Sequence, residues 1–196
     1  MNKTLIIAEA GVNHNGDIQI AKELIQAASD AGADVIKFQT FKANELATEN
    51  AIKSSYQIEK QDESNNQRSM LQKLELNSSQ HFELLEYSKK CKIEFLSTGF
   101  DTQSINFLES LNLKRIKIPS GEITNYPYLC KVGSFNKEII LSTGMSNMAE
   151  IESAIEVLEQ AGTPRSQITV LHCTTQYPAS FENINLYAMK TISTAF

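Results

Sequence analysis

Short apolar runs recur along the chain, and a longer segment with the spacing of an amphipathic helix follows most of them. Six such runs, each of four to six residues, are rich in Ile, Val and Leu and alternate little with polar residues. Uninterrupted apolar runs of this length are typical of parallel strands that are covered on both faces. The predicted strands are Thr4–Glu9, Asp34–Gln39, Ile93–Ser97, Arg115–Ile118, Glu138–Ser142 and Ile168–His172.

Three segments between these runs carry apolar residues at helical spacing. They predict helices over Asp17–Ala31, Ser79–Lys90 and Met148–Ala161. Asp17 is the expected N-cap of the first helix, and Gly32 and Gly162 are expected to end the first and third. Strands that alternate with helices indicate βαβ units and a parallel sheet.

The segment Phe41–Ser69 is polar and contains neither a strand pattern nor a proline. It predicts a long loop. A loop of this length in a compact domain is usually functional or mobile, and a merely solvated insertion is the alternative.

Two segments of the chain repeat one motif. Phe95–Asp101 and Ile140–Ser146 both read as the end of a strand, then Ser-Thr-Gly, then a helix N-cap. They lie two βα units apart, and alternate strands contribute to the same layer of a barrel. We therefore predict an α/β fold of the (β/α)8 TIM-barrel type, truncated after about six of its eight βα units. An open doubly wound parallel sheet is the alternative.

The composition narrows the class of protein further. The 18 basic and 23 acidic residues give a net charge of −5, and no run of Lys or Arg occurs. This argues against nucleic acid or an anionic membrane as partner, and no segment reaches the roughly 20 apolar residues of a membrane span. The three cysteines fit no metal-ligand spacing, which is typical of reduced thiols in a cytoplasmic protein.

Polar side chains concentrate at the carboxyl ends of the predicted strands, the edge where α/β folds bind ligands. The polar residues at or just beyond these ends are Glu9, Lys37, Gln39, Ser97, Thr98, Lys117, Ser120, Glu122, Ser142, Thr143, His172 and Thr174.

Lys37 and Lys117 lie within otherwise apolar strands. Burying an ammonium group is costly unless an anion accompanies it. One interpretation is an internal ion pair with Glu9 or Glu122, and the other is a pocket for an anionic ligand. Three Ser-Gly or Ser-Thr-Gly turns that lead toward helix N-termini favour a phosphorylated or carboxylated substrate.

Glu9 and Glu122 are candidates for proton transfer, and charge balance for the lysines is the alternative role. His14, in the first βα loop, is either a ligand contact or part of the loop structure. We expect His172 to be packed or hydrogen-bonded near its strand end, and His81 to lie on a helix surface.

Six sequence blocks together resemble the sialic acid synthase family, in order and over nearly the whole chain. The blocks are Ile7–Gly16, Val35–Thr40, Phe95–Phe100, Lys117–Pro127, Ile140–Met145 and Leu171–Pro178. The resemblance implies an N-terminal (β/α)8 barrel followed by an antifreeze-like domain, in a domain-swapped homodimer. By this resemblance we expect residues 1–196 to be the N-terminal part of that barrel, without the antifreeze-like domain.

The resemblance also implies an activity. The family condenses phosphoenolpyruvate with N-acetylmannosamine or a related amino sugar to a nine-carbon 2-keto acid and releases phosphate. Mn²⁺ or Mg²⁺ polarises the sugar aldehyde. The family's metal-binding histidines lie beyond residue 196, so no metal ligand is expected in this chain.

Matching by motif assigns roles to individual residues of this chain. Lys117, Glu9 and Glu122 would be catalytic, and Gln39 and Tyr177 would contact the sugar. Thr175 stands where some members have an Asn that contacts phosphate. The residues that would bind phosphoenolpyruvate are Lys37, Thr98, Lys117, Ser120, Ser142 and Thr175.

Two other functions remain open from the residues alone. A Schiff-base aldolase would use Lys37 or Lys117 as its nucleophile. A non-catalytic fragment would keep an anion pocket without turnover. The sequence does not distinguish among N-acetylneuraminate, legionaminate and pseudaminate as the product.

Overall fold

The computed structural model of the chain describes residues 4–53 and 66–196. The chain divides into two compact units, Met1–Leu113 and Lys114–Phe196. Each unit is an α/β structure with three strands in its described residues.

In the first unit, strands and helices largely alternate along the chain. Strand β1 pairs in parallel with β2, and β2 pairs in parallel with β3. The elements are β1 (Ile7–Gly11), α1 (Ile18–Asp30), β2 (Val35–Thr40), α2 (Ala43–Leu46), α3 (Gln67–Leu74), α4 (Ser78–Lys90), β3 (Glu94–Gly99) and α5 (Thr102–Ser110).

The second unit repeats this pattern. Strand β4 pairs in parallel with β5, and β5 pairs in parallel with β6. The elements are β4 (Arg115–Ile118), a 3₁₀ turn (Ser120–Glu122), α6 (Tyr126–Gly133), β5 (Glu138–Ser142), α7 (Met148–Ala161), a second 3₁₀ turn (Arg165–Gln167), β6 (Ile168–Leu171), α8 (Phe181–Ile184) and α9 (Ala188–Ala195). In both units the strand order follows the chain order, as it does in (β/α) barrels.

One face of the first unit's sheet forms its hydrophobic core. Ile36 and Phe38 of β2 and Phe95 of β3 belong to a buried cluster with Ile25 of α1 and Leu84 of α4. The rings of Phe38 and Phe95 stack with centroids 5.5 Å apart. Burial of each such side chain contributes about 1.5–3 kcal/mol. Because side chains alternate along a strand, the residues between them in β2 face the other side of the sheet.

Capping side chains determine where the helices begin. The Asp17 carboxylate accepts a hydrogen bond from Gln19 N at 2.7 Å, which confirms Asp17 as the N-cap of α1. The helix predicted over Met148–Ala161 is confirmed at both ends, but its N-cap is Asn147 rather than the predicted Ser146, because Asn147 and Glu150 form a reciprocal capping box. Gly162 ends α7 with a φ of 125°, a conformation that favours glycine.

Most predicted boundaries are correct to within one or two residues, and two larger differences occur. Strand β1 begins at Ile7 rather than Thr4, because pairing with β2 begins at Ile7 and Val35 while Ile6 N bonds to the Asp34 carboxylate. The segment Phe41–Ser69, predicted as a loop, contains α2 and the start of α3 in its described parts. Residues 54–65 lie outside the described residues.

His81, expected on a helix surface, is only 1% exposed. It shares the buried stripe of α4 with Leu84 and Ser88, and spacing could have revealed this. Its Nδ1 donates to the Asn77 carbonyl at 2.9 Å, because a carbonyl can only accept. Its Nε2 therefore accepts from the Thr40 hydroxyl at 2.8 Å. The ring is held as one neutral tautomer.

Burial lowers the pKa of His14 and of His81 below the usual histidine value. These histidines therefore bind protons at a higher pH in the unfolded chain than in the folded chain. As the pH falls below about 6.5, the free energy of unfolding decreases. We predict a lower melting temperature at pH 5.5 than at pH 7.5.

The variant His81→Gln should show a shallower pH dependence, because only His14 then contributes in this way. Circular-dichroism melts of the chain and the variant at both pH values measure it. An equally steep dependence in the variant would contradict the role of His81.

Candidate functional site

In the first unit, four predicted site residues share the sheet face opposite the core. The register pairs Glu9 with Lys37 and Gln39 with Thr98. Neighbouring positions of a parallel pair present their side chains on the same face. Strands β1, β2 and β3 thus bring Glu9, Lys37, Gln39 and Thr98 to one polar face near their carboxyl ends.

Lys37 forms an ion pair with Glu9 across β1 and β2. The Lys37 side chain is 14% exposed and that of Glu9 is 51% exposed. The internal ion pair that the sequence left as an alternative is therefore present at Lys37. A Cβ added at Gly11 would lie 3.2 Å from Glu9 Oε1 and 3.7 Å from Gln39 Nε2, so these two polar groups approach the same point.

Thr98 is 2% exposed, and its Oγ1 has no hydrogen-bond partner within residues 4–53 and 66–196. A buried hydroxyl without a partner costs about 1–3 kcal/mol. Such a group requires an explanation, and a hydroxyl on the polar face is a hydrogen-bonding group available to a ligand.

In the second unit, Lys117 of β4 is 7% exposed. Its Nζ donates to Ser142 Oγ of β5 at 2.5 Å and to the Ile118 carbonyl at 2.7 Å. Cys173 Sγ lies 3.4 Å from the same Ser142 oxygen. The buried Lys117 amino group thus contacts neutral oxygen atoms of β4 and β5.

Ser120 and Thr175 meet at Gly144, in the loop after β5. The Gly144 N–H donates to Ser120 Oγ at 2.9 Å. A Cβ at this glycine would lie 2.1 Å from Thr175 Oγ1 and 3.0 Å from Ser120 Oγ, so only glycine fits. The carboxyl ends of β4 and β5 and the segments after β4, β5 and β6 thus hold four of the residues predicted to bind phosphoenolpyruvate: Lys117, Ser120, Ser142 and Thr175.

Glu122 ends the 3₁₀ turn after β4 and is half-buried. Its Oε2 accepts from Asn125 Nδ2 at 2.6 Å. Asn125 was not among the predicted site residues, although its position before Tyr-Pro, at the start of a helix, is an N-cap signal. Cys173 was also missed, and its contact with Ser142 has no local sequence signal.

Three further candidate residues lie after β6 or in the first βα loop. Tyr177 is 67% exposed and precedes a cis proline. His172 Nε2 donates to the Ile184 carbonyl at 2.7 Å, which confirms the expected hydrogen bond near the end of its strand. His14 is buried in the first βα loop, where its Nδ1 accepts from Gly16 N at 3.0 Å.

Across residues 4–53 and 66–196, no group of three or more His, Cys, Asp or Glu side chains is arranged to hold a metal ion. The same residues contain no helix of the length and apolarity needed to cross a membrane. Cys91, Cys130 and Cys173 form no disulfide.

The NeuB family model matches residues 24–196. The chain belongs to the NeuB family. It is 55% identical over 196 residues to N,N'-diacetyllegionaminic acid synthase of Campylobacter jejuni. The aligned residues make up 100% of this chain and 59% of that protein. The synthase of the same name from Legionella pneumophila is 50% identical over 193 residues, which are 97% of this chain and 54% of that protein. The chain thus spans somewhat more than half the length of these NeuB-family relatives.

Solved structures show the same fold. The N-acetylneuraminic acid synthetase of Leptospira borgpetersenii, 30% identical, superimposes with a TM-score of 0.86 over 100% of this chain and 62% of that one. A phospho-2-dehydro-3-deoxyheptonate aldolase of Thermotoga maritima is 15% identical, with a TM-score of 0.67 over 96% of this chain and 48% of that one, a likeness of fold alone. These findings confirm the predicted barrel type and the resemblance to sialic acid synthases.

The close contact at Gly144 generates a test. We predict that Gly144→Ala destabilises the chain by about 1–3 kcal/mol, because the added methyl group overlaps Thr175 Oγ1. Gly121→Ala is the matched control, since a Cβ there meets no atom within 4 Å. Urea unfolding of both variants measures the difference.

The double variant Gly144→Ala, Thr175→Ala should recover part of the loss, because it removes the overlapping hydroxyl. Equal stability of the Gly144→Ala and Gly121→Ala variants would contradict the contact.

Proposed function

We propose that the protein is a sialic-acid-type synthase that condenses phosphoenolpyruvate with an amino sugar and releases phosphate. The observation that carries this proposal is the buried Lys117 ammonium, bonded to the Ser142 hydroxyl, with Ser120 and Thr175 on the neighbouring segments. A buried cation surrounded by hydroxyl groups suits a phosphate or carboxylate group.

In this proposal Lys117, Ser120, Ser142 and Thr175 bind the phosphate and carboxylate groups of phosphoenolpyruvate. By the family resemblance, Lys37 and Thr98, on the polar face of the first unit, are also proposed phosphoenolpyruvate-binding residues. Thr98 supports this role because its buried Oγ1 lacks a partner in the described part of the chain.

The chemistry forms one carbon–carbon bond. C3 of phosphoenolpyruvate attacks the sugar aldehyde, whose oxygen takes up a proton. Water adds at C2 and loses a proton, and the tetrahedral intermediate expels phosphate. Glu9 and Glu122 are the proposed acid/base and water-activating carboxylates, and Gln39 and Tyr177 the proposed sugar contacts. The ion pair with Lys37 holds the Glu9 carboxylate on the polar face of the first unit.

The relatives support a finer proposal for the product. The two relatives of 55% and 50% identity are both named N,N'-diacetyllegionaminic acid synthase. The human N-acetylneuraminate-9-phosphate synthase is 32% identical, and so is the Helicobacter pylori pseudaminic acid synthase. We therefore propose N,N'-diacetyllegionaminic acid as the product.

The family also implies Mn²⁺ or Mg²⁺, a homodimer and a cytoplasmic location, and all three stay predictions. The residues described in 4–53 and 66–196 do not fit a metal site, because they provide no cluster of three candidate ligands. No step is therefore assigned to a metal ion on residues of this chain.

The relatives favour the synthase over a Schiff-base aldolase, because those of 55% and 50% identity are both named synthases. A Schiff-base lysine would attack the substrate as a neutral amine. Borohydride reduction with pyruvate would trap a covalent adduct only in the aldolase.

The activity is best tested in a chimera in which residues 1–196 replace the matching region of the Campylobacter jejuni relative. We predict that this chimera, supplied with its divalent cation, consumes phosphoenolpyruvate and the diacetamido sugar and releases one phosphate per product. Lys117→Met should lower kcat/KM about 100-fold, because a buried cation that pairs with the substrate contributes about 3 kcal/mol.

Lys114→Met is the control, since Lys114 is exposed and its ion pair with Glu138 at 3.5 Å is at the surface. It should leave kcat/KM within about twofold. Unchanged turnover in Lys117→Met would overturn the role of Lys117. Binding of phosphoenolpyruvate by a chimera that never turns over would favour the non-catalytic alternative.

A further inference from the structure

The Asn125 side chain makes two hydrogen bonds of opposite direction. Its Oδ1 accepts from Tyr128 N at 3.2 Å, and its Nδ2 donates to Glu122 Oε2 at 2.6 Å. An amide oxygen only accepts and an amide nitrogen only donates. The two partners therefore fix the orientation of the amide.

The first of these bonds belongs to α6. Asn125 is the N-cap of that helix, and Pro127 occupies its second position. Proline has no N–H, so Tyr128 N is the donor in the first turn that the cap satisfies. Capping holds the Asn125 side chain in one place, independently of Glu122.

The second bond reaches the carboxylate that the proposed function uses. Glu122 lies in the same 3₁₀ turn as Ser120, directly after β4. The Asn125 N–H also donates to the Glu122 carbonyl at 3.0 Å, which closes the turn. The hydrogen bond from Asn125 thus holds one carboxylate oxygen of Glu122 in place.

We propose that Asn125 is a positioning residue, which uses its helix cap to hold the Glu122 carboxylate in the orientation that proton transfer requires. This inference rests on the proposed function and adds a residue to it. A catalytic group must be held within a fraction of an ångström of its working geometry, and a second hydrogen-bonded group commonly does this.

The two roles of Asn125 can be separated by substitution. Asp and Ser cap helices about as well as Asn, so Asn125→Asp and Asn125→Ser retain the cap. Neither retains an N–H donor at the same place. Asp also sets a second carboxylate against Glu122, and like charges at that distance repel.

The experiment uses the active chimera described above and compares its kinetic constants with its melting temperature. Asn125→Asp should lower kcat by about tenfold or more, against the roughly 10²–10⁴-fold loss expected for Glu122→Gln. Asn125→Ser should lower kcat by a smaller factor, because it removes the donor without adding a charge. Asn77→Asp is the matched control, since Asn77 caps α4 beside the neutral Gln80.

A double variant tests whether Asn125 acts through Glu122. In the Glu122→Gln background, adding Asn125→Asp should change kcat less than about twofold, because the carboxylate it positions is gone. A full additional loss in that background would overturn the proposal. A wild-type kcat in Asn125→Asp would also overturn the proposal. The same holds if both Asn125 variants lose much more melting temperature than Asn77→Asp does.

The failure of the proposed function has a different signature. A wild-type chimera that releases no phosphate from phosphoenolpyruvate would overturn the proposed function, and the role of Asn125 with it. An active chimera whose kcat is insensitive to Asn125 overturns the role of Asn125 alone.

Discussion

The buried ammonium group of Lys117 is the constraint on which the rest of the second unit depends. Removing such a cation from water costs several kcal/mol, and only nearby oxygens or an anion offset that cost. Here the Ser142 hydroxyl and the Ile118 carbonyl supply the oxygens. Strand β5 therefore ends in a residue with a hydroxyl group, Ser142, beside Lys117. Gly144 has no side chain, so Thr175 and Ser120 can approach its backbone closely.

In the first unit, the lysine within a strand is Lys37, and its partner is a carboxylate. Lys37 is paired with Glu9, and the partly exposed carboxylate leaves that pair open to solvent. The core lies on the opposite sheet face, where aromatic and aliphatic side chains pack against α1 and α4. The polar residues on this face do not take part in the hydrophobic core. Among the described residues, the buried Thr98 hydroxyl has no hydrogen-bond partner, which lowers stability and is not explained by packing.

Much of this arrangement was predictable because strands and helices have distinct apolar periods. The apolar runs located β4 and β5 to the residue, and caps such as Asp17 marked helix starts. The polar residues at strand ends were found because parallel strands end at a common edge. What the sequence did not show depends on contacts between distant segments. Spacing along α4 could have revealed the burial of His81, but its hydrogen bond to Thr40 of β2 required the tertiary fold. The contact of Thr175 with Gly144 required the tertiary fold, and the one-residue shift to Asn147 required the capping box.

The central claim is that the buried lysine and its hydroxyl neighbours bind the anionic groups of phosphoenolpyruvate. A thermal melt of the chain with and without millimolar phosphoenolpyruvate tests it most directly, with pyruvate at the same concentration as the comparison. A ligand that binds only the folded state adds about 2.7 kcal/mol of stability at 100 times its Kd. We predict a rise in the melting temperature with phosphoenolpyruvate, a smaller rise with pyruvate, and no rise in the Lys117→Met variant. A cooperative melt that phosphoenolpyruvate leaves unmoved, or moves equally in Lys117→Met, would contradict the claim.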